Sequence, residues 1–202
     1  MALGMGTDLV EFRIDRLRSQ SFRKTKETLS EFGESAVVTV RPTLEGGGFV
    51  GKDSERISLV RELAELEPAY LDIELRTLVT HPELRPGELR RRLIISWHDV
   101  SGTPRVARLR EVASRAASYG GLVKLVTLAK RPEDNLATLS LYGGTGKQPI
   151  AFCMGDQGVL SRVMAMELGS PIVYASLPDE FVAPGQPSLS QAIALRRRLE
   201  HA

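Results

Sequence analysis

Two residues sit where carbonyl chemistry could be done. A lysine interrupts the apolar run Leu122-Val123-Lys124-Leu125-Val126, and a histidine lies near the end of Ile94-Ile95-Ser96-Trp97-His98-Asp99. A lysine held among apolar neighbours loses hydration, its pKa falls, and the neutral amine becomes a nucleophile able to form an imine with a carbonyl. A histidine exchanges protons near neutral pH, so His98 suits general acid and base work beside such an amine. Each residue also has a plainer explanation: a buried lysine paired with Glu11 or Glu74, and a histidine hydrogen-bonded at a strand end. His81, before Pro82 in a polar stretch, and His201, in the C-terminal tail, lack a catalytic setting.

Further ionisable residues share this strand-like context. In VEFRID, residues 10–15, Val10, Phe12 and Ile14 alternate with Glu11, Arg13 and Asp15. The run AVVTVR ends in Arg41, and Asp72 and Glu74 alternate with Leu71, Ile73 and Leu75. Runs of this kind predict seven strands, at 8–14, 36–41, 70–75, 93–99, 122–127, 149–154 and 171–177. Helical spacing falls between them, near 53–66, 103–119, 132–141, 157–168 and 187–200, and more weakly near 19–31. The clearest helix is 103–119, with Thr103 as cap, Pro104 at the first position, Val106, Leu109, Val112 and Ala116 on one face, and Gly120 and Gly121 as the stop. Strands alternating with helices imply a parallel sheet covered by helices, either open and doubly wound or closed into a (β/α) barrel. The ionised residues favour the barrel, whose inner face can gather charges toward the C-terminal mouth where barrel enzymes work.

One domain over residues 1–202 accounts for a chain of this length. The 27 basic and 25 acidic residues are spread along the chain and leave a formal net charge of +2, which argues against nucleic acid or a membrane surface as partner. Cys153 is the only cysteine, so no intrachain disulfide or multi-cysteine metal site can form. With no signal-peptide pattern and no run of about 18 apolar residues, the expectation is a soluble protein of the reducing cytoplasm. The stretch GGTGKQ at 143–148 departs from a phosphate-binding loop, because Leu141 stands where the first glycine belongs and Gln148 replaces Ser or Thr. EGGGFVG at 45–51 follows a strand end and reads as a flexible active-site loop or a plain turn. His98 and Asp99 face opposite sides of a strand and no second histidine lies at ligand spacing, so no metal is expected.

The stretches DLVEFRID, VTVRPTLEGGGF, LDIEL, IISWHD followed shortly by TP, LVKLVT, CMGDQGVLSR and VAPGQPS run in this order from about residue 8 to residue 190. The ordered series resembles that of the type I 3-dehydroquinate dehydratases of the shikimate pathway. The resemblance implies a (β/α) TIM-type barrel that dehydrates 3-dehydroquinate to 3-dehydroshikimate through a lysine imine, as a homodimer, with no metal or cofactor. It puts Lys124 at the imine position, His98 at the general acid/base, and Glu45 at the carboxylate that orients this histidine. Glu11, Arg13 and Arg41 match residues that hold the substrate's hydroxyls, Arg162 the guanidinium that clamps its carboxylate, and Gln186 a residue of the covering loop. Met154 would pack against the carbon ring, and Asp99 follows the histidine without an assigned role.

Two departures accompany the resemblance. Val182 stands where the family usually has serine, which leaves Ser188 or Ser190 to supply the hydroxyl. The family's first strand and helix are expected to be missing, so that seven strands are visible where closure normally takes eight. Another imine-forming barrel of the class I aldolase kind would need Lys124, but not Arg162 and Gln186 together with Glu11 and Arg13. A non-catalytic, metabolite-binding barrel descendant would need only the fold.

Overall fold

The computed structural model describes residues 4, 6–17, 22–84, 87–144, 146–177 and 184–199. Six strands are present among them: β1 (Val10–Arg13), β2 (Ala36–Thr39), β3 (Tyr70–Glu74), β4 (Leu93–Asp99), β5 (Leu122–Leu128) and β6 (Ile150–Met154). The helices are α1 (Phe22–Phe32), α2 (Asp53–Ala64), α3 (Leu75–Thr80), α4 (Val106–Ala117), α5 (Asp134–Leu139), α6 (Val159–Glu167) and α7 (Leu189–Leu199). The strands follow chain order in one sheet, β1-β2-β3-β4-β5-β6, and the described pairings are parallel. The chain divides into two compact units, Met1–Ser96 with Tyr119–Leu122, and Trp97–Ser118 with Val123–Ala202.

In the first unit, strand register brings ionisable and polar side chains to one face. Thr39 lies opposite Arg13 on one side and Asp72 on the other, and Glu74 lies opposite Ser96. Laterally registered residues of a parallel sheet point to the same face, so Glu11, Arg13, Thr39, Asp72, Glu74 and Ser96 share one face. The alternate residues Val38, Leu71, Ile73, Leu93 and Ile95 are buried with Leu29 of α1 and Ile57, Val60 and Leu63 of α2. The charged face foreseen from the alternation is therefore present.

In the second unit, β5 pairs with β6 from Lys124 opposite Ile150 to Leu128 opposite Met154. Leu109, Val112 and Ala116 of α4, Leu125, Ile150 and Ala165 are buried. The Tyr142 hydroxyl donates to the Ala151 carbonyl at 3.0 Å and accepts its N–H at 2.9 Å. The Cys153 thiol is fully buried beside the hydroxyls of Thr127 at 3.3 Å and Thr138 at 3.2 Å.

Three local expectations are corrected, and a fourth is decided between its alternatives. Residues 171–177 form no strand; Pro171 has no N–H to give, and Ser176 instead bridges to Ser188, its N–H donating to the Pro187 carbonyl at 2.9 Å. Helix α4 begins at Val106 without a side-chain cap, because the Thr103 hydroxyl is spent on the Leu128 carbonyl at 3.0 Å and on Thr127 at 2.9 Å. Helix α3 follows β3 directly where no helix was expected. Residues 45–51 fold as a tight turn, the second of the two readings. Gly46 takes a left-handed turn (φ 75°), the Phe49 N–H donates to the Arg41 carbonyl at 3.2 Å, and a side chain at Gly47 would strike that same carbonyl.

Candidate active site

The ionisable residues of the first unit form a connected set. Arg13 grips Asp15 with two donors, Nε to Oδ1 at 2.9 Å and Nη2 to Oδ2 at 2.7 Å, and the Gly48 N–H adds a third bond at 2.8 Å. Burial pushes the Asp15 pKa up, but the Arg13 hydrogen bond and charge and the backbone donors outweigh it, so the carboxyl titrates below its ordinary range. The Thr39 hydroxyl donates to Glu11 Oε1 at 2.7 Å.

Arg41 is buried among acceptors: Nη1 reaches Glu74 Oε1 at 2.7 Å and Ser96 Oγ at 2.6 Å, and Nη2 reaches Asp72 Oδ1 at 2.8 Å. Burial opposes its charge, yet Asp72, Glu74 and Glu45 together hold it firmly protonated, with the pKa above that of a free arginine. Glu45, at the end of a short 3-10 turn (Thr43–Glu45), thus contributes negative charge near Arg41.

The second unit carries the remaining candidates. Lys124, near the start of β5, is 5% exposed, and its ammonium nitrogen lies 4.2 Å from the centre of the Tyr174 ring. Tyr174 meets Phe152 of β6 with ring centres 6.1 Å apart, and the Arg162 guanidinium carbon lies 4.3 Å over the other ring, Phe152. Lys124, Tyr174, Phe152 and Arg162 therefore form a row, cation to ring to ring to cation, in which each aromatic face attracts a positive charge.

Arg162 itself is buried on α6; among the described residues it makes no ion pair, and its Nε has no hydrogen-bond acceptor. Burial lowers its pKa to about 10, only partly offset by the nearby Cys153 sulfur. A small hollow lined by Phe152, Arg162, Ile172 and Tyr174 opens beside it. A buried guanidinium kept this way is costly to the fold and suited to an anion that supplies the missing charge.

His98 lies partly buried near the C-terminal end of β4. Asp99, beside it, accepts from the Ser101 and Gly102 N–H groups at 2.9 and 3.2 Å, which assigns it to the turn after the strand. Gln186 is partly buried in the loop before α7, which is anchored where the Gly155 N–H donates to the Pro184 carbonyl at 3.2 Å. The hydroxyls of Ser188 and Ser190 lie 3.0 Å apart, and Ser188 accepts the Gln191 N–H at 3.3 Å, so both serve the start of α7. Val182 and His201 lie outside the described residues.

Two groups escaped the sequence reading. Tyr174 belonged to an alternating run and gave no sign that its ring would cover a lysine 50 residues earlier. Arg56 shares the helical spacing of Val60 and Leu63, but nothing local to it shows that a charge on that face meets Glu74.

Parallel strands in chain order, alternating with helices, are the arrangement of a (β/α) TIM-type barrel. The family model described as type I 3-dehydroquinase matches residues 1–200. The chain belongs to that family. It is 40% identical over 187 residues to a 3-dehydroquinate dehydratase of Pyrobaculum aerophilum, covering 92% of this chain and 61% of the relative, so the chain spans less than two thirds of that protein. It is 33% identical over 183 residues to a 3-dehydroquinate dehydratase of Methanococcus maripaludis, covering 89% of this chain and 82% of the relative. Among solved structures, the 3-dehydroquinate dehydratase of Aquifex aeolicus superposes with a TM-score of 0.82 at 33% identity, over 98% of this chain and 90% of the other.

Proposed function

We propose that the chain is a 3-dehydroquinate dehydratase, a hydro-lyase acting as one catalytic domain over residues 1–202, which converts 3-dehydroquinate to 3-dehydroshikimate and water. The observation that carries this reading is Lys124, a lysine 5% exposed near the start of a sheet strand with its nitrogen on an aromatic face. The Lys124 amine adds to the substrate's ketone carbon, and the carbonyl oxygen leaves as water, giving a protonated imine (Schiff base). That imine draws electrons from the adjacent C–H bond, and His98 removes the proton. The resulting enamine expels the neighbouring hydroxyl, which departs as water with the proton returned by His98. Hydrolysis of the imine frees the product and restores Lys124, so one water is released overall. The protonated imine is itself the electron sink, so these steps call for neither metal nor cofactor.

In this reading Glu45 orients His98, while Glu11, Arg13 and Arg41 hold the substrate's hydroxyls. Arg162 clamps the carboxylate, for which a two-pronged planar donor is suited, and Gln186 comes from the loop that covers the ligand. The family resemblance further supports a homodimer, which light scattering of the purified protein tests, and the single cysteine is in keeping with a reducing cytoplasm. The decisive experiment is borohydride reduction in the presence of 3-dehydroquinate followed by mass spectrometry. The expected result is a substrate-derived mass increment on the peptide carrying Lys124. Turnover by the wild-type protein without any reducible adduct would refute the imine route.

A further inference from the structure

Arg56 is buried outside the set that faces the substrate, yet one carboxylate connects it to that set. It lies on the face of α2 that carries Ile57, Val60 and Leu63, and is 3% exposed. Its Nη1 donates to Glu74 Oε2 at 2.8 Å, its Nη2 to Thr77 Oγ1 at 2.8 Å, and its Nε to Asp53 Oδ1 at 2.9 Å. The Thr77 hydroxyl in turn donates to the same Glu74 oxygen at 2.9 Å. The other oxygen of Glu74 is the one that receives Arg41. Glu74 is thus shared between two arginines, one oxygen each.

We propose that Arg56 is a positioning residue that acts on Arg41 through Glu74, an inference that rests on the reading of Arg41 as a substrate-binding group. Orientation is one reason. With Oε2 held by Arg56 and Thr77, the carboxylate plane is fixed, and with it the direction in which Oε1 pulls the Arg41 guanidinium. Charge is the other. Glu74 meets a buried cation on each oxygen, Arg41 on Oε1 and Arg56 on Oε2, while Arg41 also reaches Asp72. Without Arg56, Glu74 keeps Arg41 on Oε1 and loses the charged donor on Oε2. Glu74 is then free to turn and draw the Arg41 guanidinium toward itself, which changes what Arg41 offers a ligand.

The test compares the wild type with Arg56→Met, Arg56→Lys and the double variant Arg56→Met with Glu74→Gln. Arg56→Met is expected to raise KM for 3-dehydroquinate at least tenfold while kcat changes less than threefold. Arg56→Lys should recover part of that loss, because it returns the charge without the fork of donors. The double variant should also recover part of it despite its second lesion, because a neutral amide at position 74 no longer pulls on Arg41 by charge. The side-chain Nε–H resonance of Arg41, identified by its loss in Arg41→Lys, gives a readout independent of turnover. It should shift or broaden in Arg56→Met and sharpen again in the double variant. An unchanged Arg41 resonance and KM in folded Arg56→Met, or additive losses in the double variant, would overturn the proposal. Should Arg56→Met not fold, Arg56→Lys and the double variant decide by the same two measurements. Absence of dehydratase activity in the wild type would defeat the function proposed above, and the resonance comparison would still decide the role of Arg56.

Discussion

The ammonium nitrogen of Lys124 lies 4.2 Å from the centre of the Tyr174 ring. The ring face attracts a positive charge whether it resides on an ammonium or on a protonated imine, and it also covers the lysine stem. Removing the nitrogen while keeping the stem should therefore separate chemistry from folding. Lys124→Met is expected to abolish turnover and the borohydride-trapped adduct, with a melting temperature at or above that of the wild type. Scanning calorimetry beside the mass spectrum checks both halves.

His98 should be separable from Lys124 in the same assay. His98→Ala is expected to lower kcat by at least about 10²-fold, the usual effect of losing a general acid/base, while a reducible adduct still accumulates. Loss of adduct in parallel with turnover would instead give His98 a part in forming the imine.

Arg162 should set binding against stability. Its depressed pKa means that at neutral pH the folded state carries a charge it solvates poorly, a cost relieved only as pH rises through about 10. Arg162→Met is therefore expected to stabilise the free protein by roughly 1–3 kcal/mol, as replacement of buried charge by an apolar side chain often does. The same change should weaken substrate binding by about 2–3 kcal/mol through the lost charge-assisted pair, read as a raised KM. A lower melting temperature in the variant would show that Arg162 is already neutralised without ligand.

Asp15 fixes the sign of one acid-side dependence. Its folded pKa lies below the ordinary value of 3.8, so its contribution is complete above that value and is lost as pH falls through the lower, folded pKa. Asp15→Asn, which leaves Arg13 without its buried partner, should cost about 2–4 kcal/mol near pH 7. In urea unfolding the gap between variant and wild type should shrink once pH drops below 3.8.

The ionised face was legible because period-2 alternation is local: Glu11 and Arg13, or Asp72 and Glu74, are separated from their apolar neighbours by one residue. Helix α4 was legible by the same logic, since Leu109, Val112 and Ala116 repeat at helical spacing and are buried. Its start was not, because the partner that diverts Thr103, the Leu128 carbonyl, is 25 residues away. Helix α3 went unseen because Leu75-Arg76-Thr77-Leu78-Val79-Thr80 is rich in β-branched residues and short, and tertiary burial of Leu75, Thr77 and Leu78 outweighs local preference. The expected strand at 171–177 failed for the opposite reason: its composition is strand-like, but its hydrogen bonds go to the segment before α7. Tyr174 owes its position, and Arg56 its partner Glu74, to packing between separate elements, which a single sequence does not record.

Cys153 gives the molecule an intrinsic reporter. As the chain's one cysteine, buried against Thr127 and Thr138, its sulfur cannot meet a reagent while β6 stays in place. The rate of thiol labelling under native conditions therefore counts openings of the second unit, the one that holds Lys124 and Arg162, with no introduced probe. A substrate that bridges those two residues should slow that labelling in proportion to its occupancy, so ligand affinity becomes measurable as protection of an atom it never touches.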